Sequence, residues 1–459
     1  MMRIAYFCPR INHLKMFGPV IAEQRRRSLG GPPLVFVPGP PLLGLGSKAA
    51  ALGAWPRLGE VRAQLGAGVE VVPVTRAAEL LERIGRARVG AVVSVGLRLD
   101  PAIVAGVMAP SRRAGTLWCA LGHVQEELLD LLLPPGPAVL GPWDLATTLS
   151  RDGLDFVTAL LRRDGVTDVA PLRRMVPVGF VELDQVREFD RAELRRRYGL
   201  PLDRPVVYLS TAGRFDRRVI GRSLPPRIRL EHAPIRLLEA AFFGRVPRAL
   251  ARAGLAPWRR RWPDLDHLTS YRDVLAAVRR FARRHDAVVV AKTRAKHRDP
   301  AWVARAVDHL LPDGAFFPFR TLELMALADV YVGLSSSSAI EAAFIGLPMV
   351  HVLPFPPDAY EAPSFLPVRE EFYLKPGGVW NTPGLATAFH TYRAREWRAF
   401  VEWSEAAPLP GPVDPAARRA VVRRLLGEDD CNASGRFLDL VEVALERGRA
   451  APRGEAIGR

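Results

Sequence analysis

The chain has 459 residues, too many for one compact core and enough for two domains of roughly 200 residues each. A hydrophobic fraction of 49%, a charged fraction of 25% and 38 Gly plus 41 Pro exclude a collagenous or low-complexity protein, and three cysteines exclude a disulfide scaffold. Five of the 65 basic residues behind the net charge of +17 are Lys, leaving 60 Arg; that ratio looks like GC-rich coding and by itself names no polyanionic partner.

Cys8, Cys119 and Cys431 are far apart, with no CxxC pair and no zinc spacing, and read as buried thiols in a reducing compartment. The chain opens on a strand-like run, RIAYFCP, without a cleavable leader, and no window holds 18 uninterrupted apolar residues. A cytoplasmic chain is expected, able to touch a membrane but not to span one.

Over the first 180 residues short apolar runs alternate with amphipathic stretches, the pattern of a doubly wound α/β domain. Strands are predicted at 3–8, 33–37, 69–74, 90–95, 116–121 and 175–179, with helices such as GPVIAEQRRRS and AAELLERIGRA between them. A turn-rich link, VPVGFVELDQ, then leads to a second α/β unit with strands at 205–210, 287–291, 315–317, 329–333 and 348–353. Its helices are predicted at about 270–284, 300–311, 321–327 and 337–345. The division expected is 1–180, a first α/β domain; 181–395, a second; and 396–459, helices packing back on the first domain.

Residues 214–269 break the alternation as an insertion without a clear strand. Within 214–262 stand 13 Arg against Asp216, Glu231 and Glu239, so 13 − 3 = +10 of the charge sits there, with Phe215, Phe242, Phe243, Trp258 and Trp262. Basic residues interleaved with aromatics suit an anionic membrane surface. An ordinary helical insertion with solvated arginines has the same composition.

Four places offer chemistry. Ser210, Thr211, Gly213 and Arg214 end the strand at 205–210, where Gly213 lets backbone approach a phosphate and Arg214 can grip it with two N–H groups. Lys292, Arg294, Lys296, His297 and Arg298 follow the strand at 287–291; in a chain that writes Arg, two of the five lysines within one loop mark a position for a compact ammonium able to neutralise a diphosphate. Ser335, Ser336, Ser337 and Ser338 occupy a strand-to-helix turn whose free N–H groups can hold a phosphate, with Glu341 one turn on to accept from ribose hydroxyls and Gly346-x-Pro348 closing the helix. For a general base, His13 and His123 lie in loops after first-domain strands, ahead of His297 and His351.

The segment ALADVYVGLSSSSAIEAAFIGLPMVHVL (326–353) resembles the nucleotide-binding signature of the GT-B glycosyltransferase superfamily, with the CDP-glycerol glycerophosphotransferase-like enzymes of surface-polymer synthesis nearest in pattern. VPVGFVELDQV resembles that family's interdomain link, RRRYGLPLDRPVVYLSTAGR the opening of its second domain, and DDCNASGRFLDLVEVAL its closing helix. The family's Trp-His-Gly is replaced here by Trp118, Cys119, Ala120, Leu121, Gly122 and His123, and its basic-His-Pro by AKTRAKHRDP. The resemblance implies two Rossmann-like domains facing a cleft and metal-independent transfer of a glycosyl or glycerophosphate group from a UDP-, CDP- or GDP-type donor. The acceptor would be a cell-surface glycan or lipid-linked molecule, with no cofactor and no nucleic acid involved. The basic insertion, which has no counterpart in that family, would place the enzyme peripherally on the inner face of the membrane, with 214–262 as the contact.

Two rivals share the fold. A sugar-nucleotide 2-epimerase needs paired carboxylates in the cleft, for which Asp100, Glu126, Glu127 and Asp144 are the first-domain supply. A catalytically silent nucleotide- or glycan-binding protein needs none. Walker, GxGxxG, HExxH and GxSxG signatures are all missing from the sequence.

Overall fold

A computed structural model describes residues 2–39, 42, 57–123, 130–210, 271–293, 301–312, 314–334, 338–353, 368–385, 388–393 and 396–450. In the first half, β1 (Arg3–Phe7), β2 (Leu34–Pro38), β3 (Glu70–Val74), β4 (Val89–Val95), β5 (Leu117–Leu121), β6 (Leu145–Thr148) and β7 (Met175–Pro177) form one parallel sheet in the order β3-β2-β1-β4-β5-β6-β7. β8 (Val206–Ser210), β9 (Val288–Lys292), β10 (His309–Leu311), β11 (Val330–Leu334), β12 (Met349–Leu353) and β13 (Phe389–Arg393) form a second, in the order β10-β9-β8-β11-β12-β13. Each order reverses once, between β1 and β4 and between β8 and β11. In open α/β sheets such switch points place ligands at the carboxyl ends of the strands.

The central strands are apolar because helices cover both faces: β2, β4, β8 and β9 are buried at every position. The period of two sorts β8 between two cores. Val206 and Tyr208 join the large cluster shared with the first half, while Val207 and Leu209 face a separate cluster with Phe281, Phe400 and Trp403.

Helices that matter for the site are α1 (Leu14–Arg26), which follows β1, α2 (Leu58–Leu65) and α3 (Ala77–Arg86). α4 (Arg151–Arg163) starts at Ser150, whose hydroxyl accepts from Gly153 N at 3.1 Å, and buries Leu154, Val157, Leu160 and Leu161 at helical spacing. The linker between the sheets carries a 3-10 segment, Val181–Glu188, followed by α5 (Arg191–Arg197), capped by Asp190. In the second half come α6 (Tyr271–Arg284), α7 (Arg320–Leu327) and α8 (Ser338–Ile345), with α9 (Trp397–Ala406), α10 (Pro415–Leu426) and α11 (Ala433–Ala450) closing the chain. α11 returns to the first half, packing on α1 and on β4, β5 and β6.

Three sequence-based expectations change. The apolar run at 315–317 is not a strand of the sheet but a loop pressed against α1 and α2, so its phenylalanines serve a contact between the halves. The helix expected over 300–311 is a single turn, Ala301–Ala304, followed by β10. β6 and β13 escape the apolar-run criterion because LATT and FHTYR are rich in polar side chains.

Candidate functional site

Both switch points feed a helix, and both helices pack on the linker segment Val181–Glu188. α1 begins just after the β1 switch point and carries Lys15; α8 begins just after β11 and carries Glu341. Glu182, on the linker, stands between them. Lys15 Nζ lies 2.8 Å from Glu182 Oε2, and Glu341 is the neighbouring carboxyl; apart from that ion pair, both oxygens of Glu182 and Oε2 of Glu341 are buried without a hydrogen-bond donor. Glu182 is fully buried and Glu341 is 3% exposed, whereas the Lys15 side chain keeps 12% of its surface open.

Aromatic rings wall this cluster. The Lys15 ammonium lies over Phe180 at 5.8 Å and over Phe319 at 5.1 Å from the ring centres, and His123 meets Phe180 edge-on at 6.2 Å. A dry, ring-lined setting strengthens every charge interaction inside it. Burial, and then the neighbouring Glu182 carboxyl, push Glu341 well above the ordinary carboxylate range. Burial also raises Glu182, against the opposing pull of Lys15.

The joint is pinned from both sides. Gln185 donates to Lys15 O at 3.3 Å and Glu182 O at 3.1 Å while accepting from Phe319 N at 2.7 Å. Gln64 of α2 accepts from Phe316 N at 2.8 Å and Phe317 N at 3.2 Å and donates to Gly314 O at 3.0 Å. Phe317 sits so close to α1 that a Cβ at Gly18 would fall 2.3 Å from its ring, which is why this helix has a glycine there.

The expected donor-site residues fall as follows. Ser210 and Lys292 are register partners at the carboxyl ends of neighbouring strands, both buried, and Ser338 is the first residue of α8 on the same edge. Gly346 ends α8 with a φ of +78°, the left-handed turn that a glycine supplies at a helix end. Thr211, Gly213, Arg214, Arg294, Lys296, His297, Ser335, Ser336 and Ser337 lie outside the described residues, as does the whole 214–269 insertion.

On the first half, His13 is 5% exposed and lies edge-on to Phe17 at 6.1 Å, while His123 is partly exposed beside Phe180. His351 is buried within β12. Asp100 accepts from Ala102 N at 2.8 Å as a helix cap, and Asp144 is held by Arg112 at 2.6 Å and by Trp118 N at 2.9 Å, so two of the four epimerase carboxylates have structural work. Glu126 and Glu127 are outside the described residues.

Sequence reasoning missed Lys15 and Glu182. Lys15 carried the signal that singled out Lys292, a lysine kept in a chain of arginines. Glu182 carried none, because its partners come from α1 and α8.

Among the described residues no group of three His, Cys, Asp or Glu side chains is spaced to hold a metal ion, and no helix is long and apolar enough to cross a membrane. No family model and no curated protein matches the sequence. Solved structures do match. They include S. aureus MnaA in a co-structure with UDP, at a TM-score of 0.52 and 12% identity over 97% of each chain. UDP-GlcNAc 2-epimerase from Neisseria meningitidis, bound to UDP-GlcNAc, has a TM-score of 0.51 and 10% identity over 96% of this chain and 100% of its own. A variant of the wall teichoic acid polymerase TagF has a TM-score of 0.50 and 10% identity over 98% of this chain and 90% of its own. At such identities the likeness establishes the fold: two Rossmann-like sheets in the GT-B arrangement.

Proposed function

We propose that this chain is a GT-B-type transferase moving a glycosyl or glycerophosphate group from a nucleotide-activated donor to a glycan or lipid-linked acceptor. The observation that carries the reading is the convergence of the first turns of α1 and α8, one from each switch point, on a single ring-walled cluster. The donor's phosphates would lie at the amino end of α8, where free N–H groups and Ser338 favour an anion, with Lys292 and Ser210 on the same edge. The rest of the donor site would come from Arg214, the 294–297 loop and Ser335 to Ser337. Glu341 would reach the ribose through a carboxyl oxygen.

The acceptor enters from the first half. Its hydroxyl oxygen forms the new bond to the transferred carbon or phosphorus as the bond to the leaving nucleotide breaks, and the hydroxyl proton passes to His123 or His13. His123 keeps more of its surface open than His13, though both its ring nitrogens are buried. No metal takes part in this scheme. A cytoplasmic enzyme resting on the inner membrane face through 214–262 completes the reading; sedimentation with anionic liposomes should be lost when that segment is deleted, and equal binding would remove the membrane contact.

A second reading, a sugar-nucleotide 2-epimerase, is favoured by one feature: a buried carboxyl pair beside a lysine, the kind of acid and base an acceptor-free isomerisation needs. Incubation with UDP-N-acetylglucosamine alone separates the two, since epimerised product without an acceptor excludes the transferase. The nucleotide itself is tested by thermal-shift titration with UDP, CDP and GDP. One of them should raise the melting temperature, and Glu341→Ala should abolish the rise; no shift with any would contradict the site.

A further inference from the structure

Three segments that are distant in the chain each send one ionisable side chain to the same dry place: Lys15 from α1, Glu182 from the linker and Glu341 from α8. Both carboxyls are buried, and, the Lys15 ion pair apart, neither oxygen of Glu182 nor Oε2 of Glu341 has a hydrogen-bond donor, so the neighbouring pair can satisfy itself only by holding a proton, because two carboxylates offer only acceptors. Lys15 settles where that proton sits. Its ammonium, 2.8 Å from Glu182, favours charge on Glu182 and so leaves Glu341 as the neutral acid.

We propose that Glu182 and Glu341 share one proton across the joint between the two halves at neutral pH, and that Glu182 is thereby a positioning residue that keeps Glu341 uncharged beside the amino end of α8. The second clause rests on the nucleotide reading given above. An ionised Glu341 would stand near the proposed diphosphate position and repel it, while the neutral acid does not. Loss of the proton also places two like charges in one dry site, so the same event loosens the joint and weakens the anion site.

Charged and titratable groups on the surrounding elements are mostly committed elsewhere. Asp184 of the linker accepts from Ala433 N and Ser434 N, and Glu323 of α7 is held by Arg197 and Tyr198. Arg320 of α7 donates to Pro312 O, and Arg418 of α10 is paired with Asp429. Three histidines stand on the surrounding elements: His13 on α1's leading turn, His123 against Phe180 and His351 on β12. The test therefore replaces Glu341 and leaves all three histidines in place.

Thermal unfolding of the wild type and of Glu341→Gln from pH 5 to 9 gives the answer without any ligand. Glu341 binds its proton more tightly folded than unfolded, so its contribution is full below its unfolded pKa and disappears as pH rises through the folded one. The wild type should lose melting temperature toward pH 9. Glu341→Gln, whose amide donates to Glu182 at every pH, should follow a flatter curve and melt above the wild type at pH 9; parallel curves would overturn the shared proton. Should the variant fail to fold, infrared spectroscopy of the wild type at pH 7 decides, through the presence or absence of a protonated carboxylic acid's carbonyl stretch. With UDP, CDP or GDP added, wild-type affinity should fall by up to about tenfold per pH unit once the proton leaves, a slope missing in Glu341→Gln. The same slope in both proteins overturns the link to the nucleotide. No binding at any pH overturns the nucleotide reading itself, and the ligand-free curves still judge the proton.

Discussion

Glu182 and Asp184 stand two residues apart on the same linker, are both buried, and are both pushed upward by burial, yet they do different work. Asp184 accepts from Ala433 N at 3.0 Å and Ser434 N at 2.6 Å, so it caps α11 with partners that carry no formal charge and do not titrate. Glu182 faces an ammonium and a second carboxyl, both of which titrate and come from opposite halves. One acid fastens a helix; the other makes the contact between the halves depend on protons. A buried carboxyl is thus structural or responsive according to whether its partners are backbone N–H groups or ionisable side chains.

Substitutions sharpen this contrast. The largest effect is expected from Lys15→Met, which leaves the Glu182 charge buried beside Glu341. It should cost about 3–5 kcal/mol of stability in denaturant unfolding, and a variant as stable as the wild type would show that the pair is not desolvated. Gly18→Ala comes next, because its methyl must displace Phe317 and with it the loop held by Gln64. A loss of about 1–3 kcal/mol is expected, with faster hydrogen exchange over 314–319. Asp184→Ala should cost about 1–2 kcal/mol and raise exchange at the start of α11, while leaving the slope of melting temperature between pH 7 and 9 as in the wild type. A changed slope would mean that the two linker acids are not separate in function.

The smallest effect concerns Glu23 on α1, held first by Arg26 and also by Arg27, which lower its pKa to about 2. Its folded value is depressed, so its contribution is present above the unfolded value and is lost as pH falls toward 2. Arg26 is largely exposed, so the gain is about 1 kcal/mol or less. Glu23→Gln should narrow the drop in melting temperature between pH 5 and 2.5, the opposite end of the scale from Glu341.

Most of the fold is legible because the strands of a parallel sheet covered on both faces are written as continuous apolar runs; β1, β2, β8, β9, β11 and β12 all read that way. β6 and β13 are not, since Thr147 and Thr148 are buried with their hydroxyls and FHTYR lies at a sheet edge. The run AFFPF misleads for a physical reason: apolarity records burial, and here the burial is against α1 rather than within a sheet. Glu341 is legible from its place after the serine turn. Its partnership with Glu182 is not, because a contact between a linker and a helix of the second half leaves no periodic trace in either segment.

The central claim, that a nucleotide binds where α1 and α8 converge, is tested most directly by a crystal structure of the chain with bound UDP, CDP or GDP. The account predicts a diphosphate against the amino end of α8, beside Glu341 and on the edge that carries Ser210 and Lys292. A nucleotide seated away from that edge would contradict it.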